Sequence, residues 1–190
     1  DTLRRELLLK VISFAISNGH YSPVAINDEF SEKAFDLYID RIDFGKRFLL
    51  KEDVEKLSKY KTDLDDAVNN VDFTFFDLAV SILDKRTKES EGYIKDILSK
   101  PFSFSADELI ETDDEKLDFA KDANELKDRW SKLLKLETLA SSYNLKKEQD
   151  KAIEKSDTVK AKSMAELEIT AREKILKRYT EYFHRLSKLN

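Results

Sequence analysis

Cysteine is absent from this chain of 190 residues. That excludes a disulfide frame, a thiolate nucleophile and a cysteine-ligated metal, and it suits the cytosol and a bacterial periplasm equally well. Glycine and proline are scarce, with three and two residues, against usual shares of about 7% and 5%. Hairpins, tight turns and Gly-rich binding loops depend on those residues, so their scarcity predicts helices joined by short connections. No apolar run reaches the roughly 18 residues that a membrane-spanning helix needs. A surplus of basic charge is missing too. The 34 Lys and Arg are outnumbered by 39 Asp and Glu, for a net charge of −5, whereas a nucleic-acid surface concentrates Lys and Arg.

What is present is enough for a core. The chain is 41% hydrophobic, with twelve Phe, seven Tyr and one Trp. The charged fraction, 38%, exceeds the usual quarter or so, and its signs are mixed, which predicts solvated helix faces. The length suits one domain, residues 1–190. The first residue is Asp1, and a helical pattern runs into the last residues. The expectation is therefore a fragment of a longer protein, with any signal peptide outside it.

Hydrophobic spacing predicts an all-α, irregular multi-helix bundle with one or two long helices. Leu3, Leu7, Val11 and Ala15 recur every fourth residue, with Leu8 and Ile12 beside them, so residues 3–18 read as a helix closed by Asn18-Gly19. His20 to Pro23 forms a connection. Helices follow at 29–41, with Phe30, Ala34, Leu37 and Tyr38 inward, and at 52–60. Val71 to Lys100 is the longest uninterrupted run, with a polar middle at 85–92 that predicts a kink, a break or an exposed section. Pro101 ends it. Residues 102–118 are irregular, and helices return at 122–142, 146–155 and 163–188. The polar stretch 146–162 reads as a mobile hairpin tip.

Candidate chemistry is thin. Gly45 stands alone in RIDFGKRFLLKEDV, without the GxxxxGK or GxGxxG context of a phosphate loop. It reads as a joint in which glycine supplies a positive φ, with Phe44, Phe48, Leu49 and Leu50 setting the helix angle. On that reading Gly45→Val destabilises the fold. His20 and His184 lie far apart, and neither has a partner at i+4 for a metal. Ser58 and Lys61 fit the S-x-x-K spacing of a serine–lysine pair, but a catalytic lysine needs a desolvated setting and this one lies in a polar run. The acidic clusters 63–66 and 113–115 lack calcium-loop spacing and read as helix caps. No catalytic, cofactor or metal residue is expected.

One set of residues carries a resemblance. His20-Tyr21 precedes Ser31 and Phe35-Asp36-Leu37-Tyr38. Then come the turn Asp43-Phe44, the apolar pair Leu49-Leu50 and a helix opening on Asp53-Val54. Val71-Asp72-Phe73, Lys100-Pro101-Phe102, Asn124-Glu125-Leu126 before Trp130, and the closing LKRYTEYFHRL continue the pattern in order. Together they resemble the N-terminal helical region of bacterial tail-specific, or carboxy-terminal processing, proteases of the long form.

The resemblance implies a non-catalytic domain ahead of a PDZ-like domain and a protease domain that carries a serine–lysine dyad. It implies a periplasmic setting, a role in walling the substrate chamber, and contact with protein or peptide substrates or an adaptor protein. No catalytic residue maps onto this chain. The alternative is a free-standing α-helical interaction module. For contact with other domains or partners, the candidates are Phe102, Phe104, Leu109 and Ile110, which cluster in the irregular segment. Packing beneath the chain's own helices is the competing expectation for these four.

Overall fold

Strict four-residue spacing of apolar side chains builds the largest part of the molecule. The computed structural model describes residues 2–15, 18, 25–155 and 160–188. Its helices are α1 (Thr2–Phe14), α2 (Asp28–Ile42), α3 (Lys51–Ser58), α4 (Leu64–Asn70), α5 (Thr74–Leu98), α6 (Ala123–Lys155) and α7 (Met164–Leu186). The only strand-like pairing among the described residues is an isolated bridge between Leu50 and Ala120. The all-α expectation holds. The connection at His20 to Pro23 lies outside the described residues.

On α6, Leu126, Trp130, Leu134, Thr138 and Ser142 are buried; on α7, Leu167, Ala171, Ile175, Tyr179 and Phe183 are. Each set recurs every four residues and so forms one stripe along its helix. The two stripes face each other in an antiparallel hairpin. Glu137 meets Tyr179, and further along Gln149 meets Lys162. Trp130 stacks edge-on against Tyr179 at 5.6 Å. The C-terminal half of α5 adds Ile94 and Leu98, completing a core with Phe48, Leu50 and Ala120. A second cluster joins Phe35 and Ile39 of α2, Leu57 of α3, and Phe75 and Ala79 of α5. Helix α5 thus serves both cores.

Several expectations change at this level. The longest helix is α6, with 33 residues, not the run ending at Lys100. The segments expected at 122–142 and 146–155 are one helix. The polar middle of α5 does not break. Lys85 and Lys88 are exposed there, as one of the expected alternatives had it, whereas Arg86 is buried and donates to Asp53 at 2.7 and 3.0 Å and to Glu52 at 2.5 Å. The connections are not all short, since residues 99–122 link α5 to α6 without a helix. Helix α4 was not foreseen. It ends at Val71, which takes the left-handed conformation (φ 57°).

The joint at 43–50 is held by an aspartate, not by glycine. The Asp43 carboxylate accepts the backbone N–H groups of Arg47, Phe48 and Leu49 at 2.8 to 3.0 Å. Burial pushes this carboxyl up, opposed by those three donors. Gly45 has no positive φ; the left-handed residue is Lys46, at φ 48°. A Cβ on Gly45 would meet only the flexible Arg47 side chain. The backbone reason given for a damaging Gly45→Val therefore fails. Phe48, Leu49 and Leu50 are buried as expected, but Phe44 is exposed. The Trp130 indole N–H donates to the Arg47 carbonyl at 3.0 Å, tying the joint to α6.

Helix α1 is the largest departure. Leu3 is 79% exposed and Leu7 62%. Val11 and Phe14 are exposed as well. The apolar residues whose spacing marked the helix, with Leu8 and Ile12 beside them, are thus largely in water. The side turned to the body is the one with Arg5, which pairs with Asp77 at 2.7 Å and lies 4.3 Å above the Phe73 ring.

Candidate functional site

The candidate serine and lysine are each engaged with other groups. The Ser58 hydroxyl donates to the Glu55 carbonyl, and Lys61 pairs with Asp36 at 2.8 Å. The serine–lysine spacing therefore builds no dyad. Asp65 is buried and accepts the Ser31 hydroxyl at 2.8 Å. Asp63 makes no side-chain cap on α4, contrary to the capping expectation for that residue. In the second acidic cluster, Asp113 accepts the Glu115 N–H and pairs with Lys116. His184 lies exposed on α7, while His20 is outside the described residues. Among the described residues, no group of three or more His, Asp or Glu side chains is placed to hold a metal ion.

The most perturbed groups are structural. Hydrogen bonding to Asp53, then to Glu89 and Glu52, holds the Arg86 guanidinium firmly charged. Burial first, and the Glu137 carboxylate second, push the Tyr179 hydroxyl up to about 12. Neither lies in an open cleft suited to a reacting substrate.

The irregular segment is where the surface becomes apolar. Its entry is fixed by α7: Glu168, buried, accepts the Phe102 N–H at 3.1 Å and the Arg172 guanidinium at 2.8 Å, and Arg172 also donates to the Leu98 carbonyl. Phe102 packs half-buried on the larger core, with its ring 6.2 Å from that of Phe104. Beyond it the chain crosses α6, where Glu108 pairs with Lys135 at 3.0 Å. Lys46 donates to the Asp114 carbonyl at 2.7 Å, so the far end is tied to the 43–50 joint.

This crossing leaves two clefts. One, of about 360 Å³, lies between Leu109, Ile110 and Leu117 on the segment and Trp130 and Leu133 on α6. The other, of about 140 Å³, lies between Phe104, Leu109 and Ile110 and the α6 residues Leu136 and Leu139. Phe104, Leu109 and Ile110 are thus brought together over one face of α6, whereas Phe102 turns toward the core and lines neither cleft. Leu109 is 93% exposed. Packing beneath the helices therefore accounts for Phe102 and not for Leu109. The exposed face of α1 and the Arg86 network were not foreseen. For Arg86 a signal existed, since an arginine in the middle of an otherwise core-facing helix needs buried acids.

Comparison with known proteins identifies the family. The model of the tail specific protease N-terminal domain matches residues 12–190. The tail-specific protease of Haemophilus influenzae is 34% identical over 113 residues, which are 58% of this chain and 16% of that protein. The chain therefore matches only a small part of that relative's length. With a family model spanning almost every residue of the helical bundle just described, the chain belongs to the family of tail-specific protease N-terminal domains.

Proposed function

We propose that this chain is the non-catalytic helical domain of a carboxy-terminal processing serine protease of the periplasm, and that it helps to wall the substrate chamber and to position substrates or partner proteins. The PDZ-like and protease domains then belong to the same polypeptide and carry the serine–lysine chemistry. The observation that supports this most is the apolar ridge of Phe104, Leu109 and Ile110 over α6, with Leu109 almost wholly in water. Apolar side chains gathered over one helix face form a contiguous patch of the kind that marks an interaction surface. The family membership and the engagement of the candidate nucleophile, base and acids in structural pairs support the same reading.

The test is a titration of this chain against the remainder of the protease, supplied separately, while cleavage of an unstructured peptide with an apolar C-terminus is followed. Binding that speeds cleavage, lost in Leu109→Asp, is the expected result. Absence of binding, or binding unaffected by Leu109→Asp and Phe104→Asp, overturns the role given to this ridge. Cleavage by this chain alone overturns its non-catalytic assignment.

A further inference from the structure

The segment that carries the ridge also carries the negative charge of the molecule. Residues 102–122 hold eight Asp and Glu against two Lys, a net of −6, while the whole chain stands at −5. The acids crowd around the most exposed large apolar side chain among the described residues. Leu109, 93% exposed, has Asp107 and Glu108 just before it and Glu111 just after Ile110.

Of these three acids only Glu108 has a cation, Lys135 of α6 at 3.0 Å. Asp107 and Glu111 are exposed and pair with no Lys or Arg among the described residues. Glu111 accepts the backbone N–H groups of Thr112 and Asp113 at 2.9 Å, which fixes its place without neutralising it. The neighbouring bases of α6 are engaged within the helix, Arg129 with Glu125 and Lys132 with Asp128. Lys46 and Arg47 line the larger cleft beside Asp114, toward the 43–50 joint. The Leu109 end of the ridge is left negative.

We propose that the ridge receives a cationic polypeptide segment. Its apolar side chains enter the clefts beside Leu109, and flanking Lys or Arg meet Asp107 and Glu111. This rests on the reading of the ridge as a docking surface and adds the chemistry of the partner. Interfaces set opposite potentials against each other, which steers encounter and rejects wrong partners. The same charges disfavour other covers. A second copy presenting its own ridge sets two acidic segments face to face, and an anionic lipid surface meets the same repulsion.

The charge contribution is modest, because both unpaired acids are exposed and exposed ion pairs each add little. Two of them alter affinity about fivefold. Raising the ionic strength from about 0.01 M to 0.15 M shortens the Debye length from about 30 to 8 Å and removes much of that effect. Apolar contact with Leu109 persists in salt. The partner is held by apolar burial and selected by charge.

The test titrates the 190-residue chain onto two labelled synthetic peptides, read by fluorescence anisotropy. The peptides are alike in length and in the positions of Leu, with Lys between them in one and Glu in the other. The expected result is that the Lys peptide binds and the Glu peptide does not. Asp107→Asn with Glu111→Gln, which keeps both hydrogen-bond acceptors, weakens the Lys peptide about fivefold and flattens its salt dependence. Glu55→Gln with Glu173→Gln, exposed acids on α3 and α7, leaves binding unchanged. Leu109→Asn weakens it at every salt concentration. Equal binding of the two peptides, or of neither, overturns the inference. So does a control pair as damaging as the ridge pair, which would mean diffuse attraction to an acidic protein. Loss in Leu109→Asn with no effect of the Asp107 and Glu111 amides overturns the cationic partner and leaves the docking role of the ridge standing. Indifference to Leu109→Asn overturns both.

Discussion

Truncation of Asp53 tests the internal logic of the fold most severely. The Arg86 side chain is 7% exposed and that of Asp53 3%. Asp53 meets the guanidinium with both carboxylate oxygens, at 2.7 and 3.0 Å, and also accepts the Leu50 N–H at 3.0 Å at the start of α3. Leu50 has no polar side chain to return the cap, so Asp53 alone serves this turn. In Asp53→Ala a buried cation loses its fork partner and a helix N-terminus loses an acceptor. Breaking a buried pair from one side costs about 3–5 kcal/mol. Glu52 and Glu89 still reach Arg86, which favours the lower end, about 3 kcal/mol. At about 2–4 °C per kcal/mol for a chain of this size, the melting temperature falls by roughly 6–12 °C. The assay is thermal unfolding followed by circular dichroism at neutral pH, on Asp53→Ala, Arg86→Met and the double variant. The double variant removes both charges and should recover much of the loss, as replacement of a whole buried pair often does. An Asp53→Ala protein melting within about a degree of the parent would refute the reasoning. A double variant no better than the sum of the singles would show that the two residues do not interact.

Raising the pH from 10 to 12 should destabilise the chain through Tyr179. Its folded pKa of about 12 against an ordinary 10.0 means that the neutral form stabilises the fold below pH 10 and that this contribution is lost as pH rises through 12. The loss is roughly 2–3 kcal/mol, and Tyr179→Phe should flatten that part of the melting profile; an unchanged alkaline slope refutes it. Asp43→Ala leaves three N–H groups of the 43–50 joint without their acceptor and should cost about 2–4 kcal/mol, whereas Gly45→Ala should stay within about 0.5 kcal/mol because only the Arg47 side chain must move. Equal melting of the two variants would sink the assignment of the joint to Asp43. Thr138→Val replaces a buried hydroxyl that has no hydrogen-bond partner in the structure, so the variant should melt at or slightly above the parent. A fall of several degrees would mean that the hydroxyl is satisfied after all.

How much of this was legible in the sequence differs from element to element. Helices α5 and α7 could be read from periodicity because each buries a single stripe in a core made by its neighbours, whereas for α2 the helix was legible but not its inner face: Ser31, Phe35 and Ile39 are buried, and Leu37, expected inward, is exposed. Helix α4 escaped, since seven residues span barely two turns and carry little periodic signal. At Gly45 the residue type was informative about a turn but not about its mechanism. Glycine permits a positive φ without requiring it, and the Asp43 carboxylate had already fixed the loop. In the candidate contact segment, clustering of Phe102, Phe104, Leu109 and Ile110 was visible, but their division between core and surface was not.

Local chemistry, then, determined that this chain is helical and which family it resembles. Periodicity, turn residues and composition act over a few residues and survive in a linear string. Only the tertiary structure decided which side of α1 meets the body and where Arg86 finds its acids. It alone showed that Leu109 stands in water while Phe102 does not. Those outcomes depend on which surfaces meet across tens of residues of intervening chain, and an apolar stripe by itself does not say what will cover it.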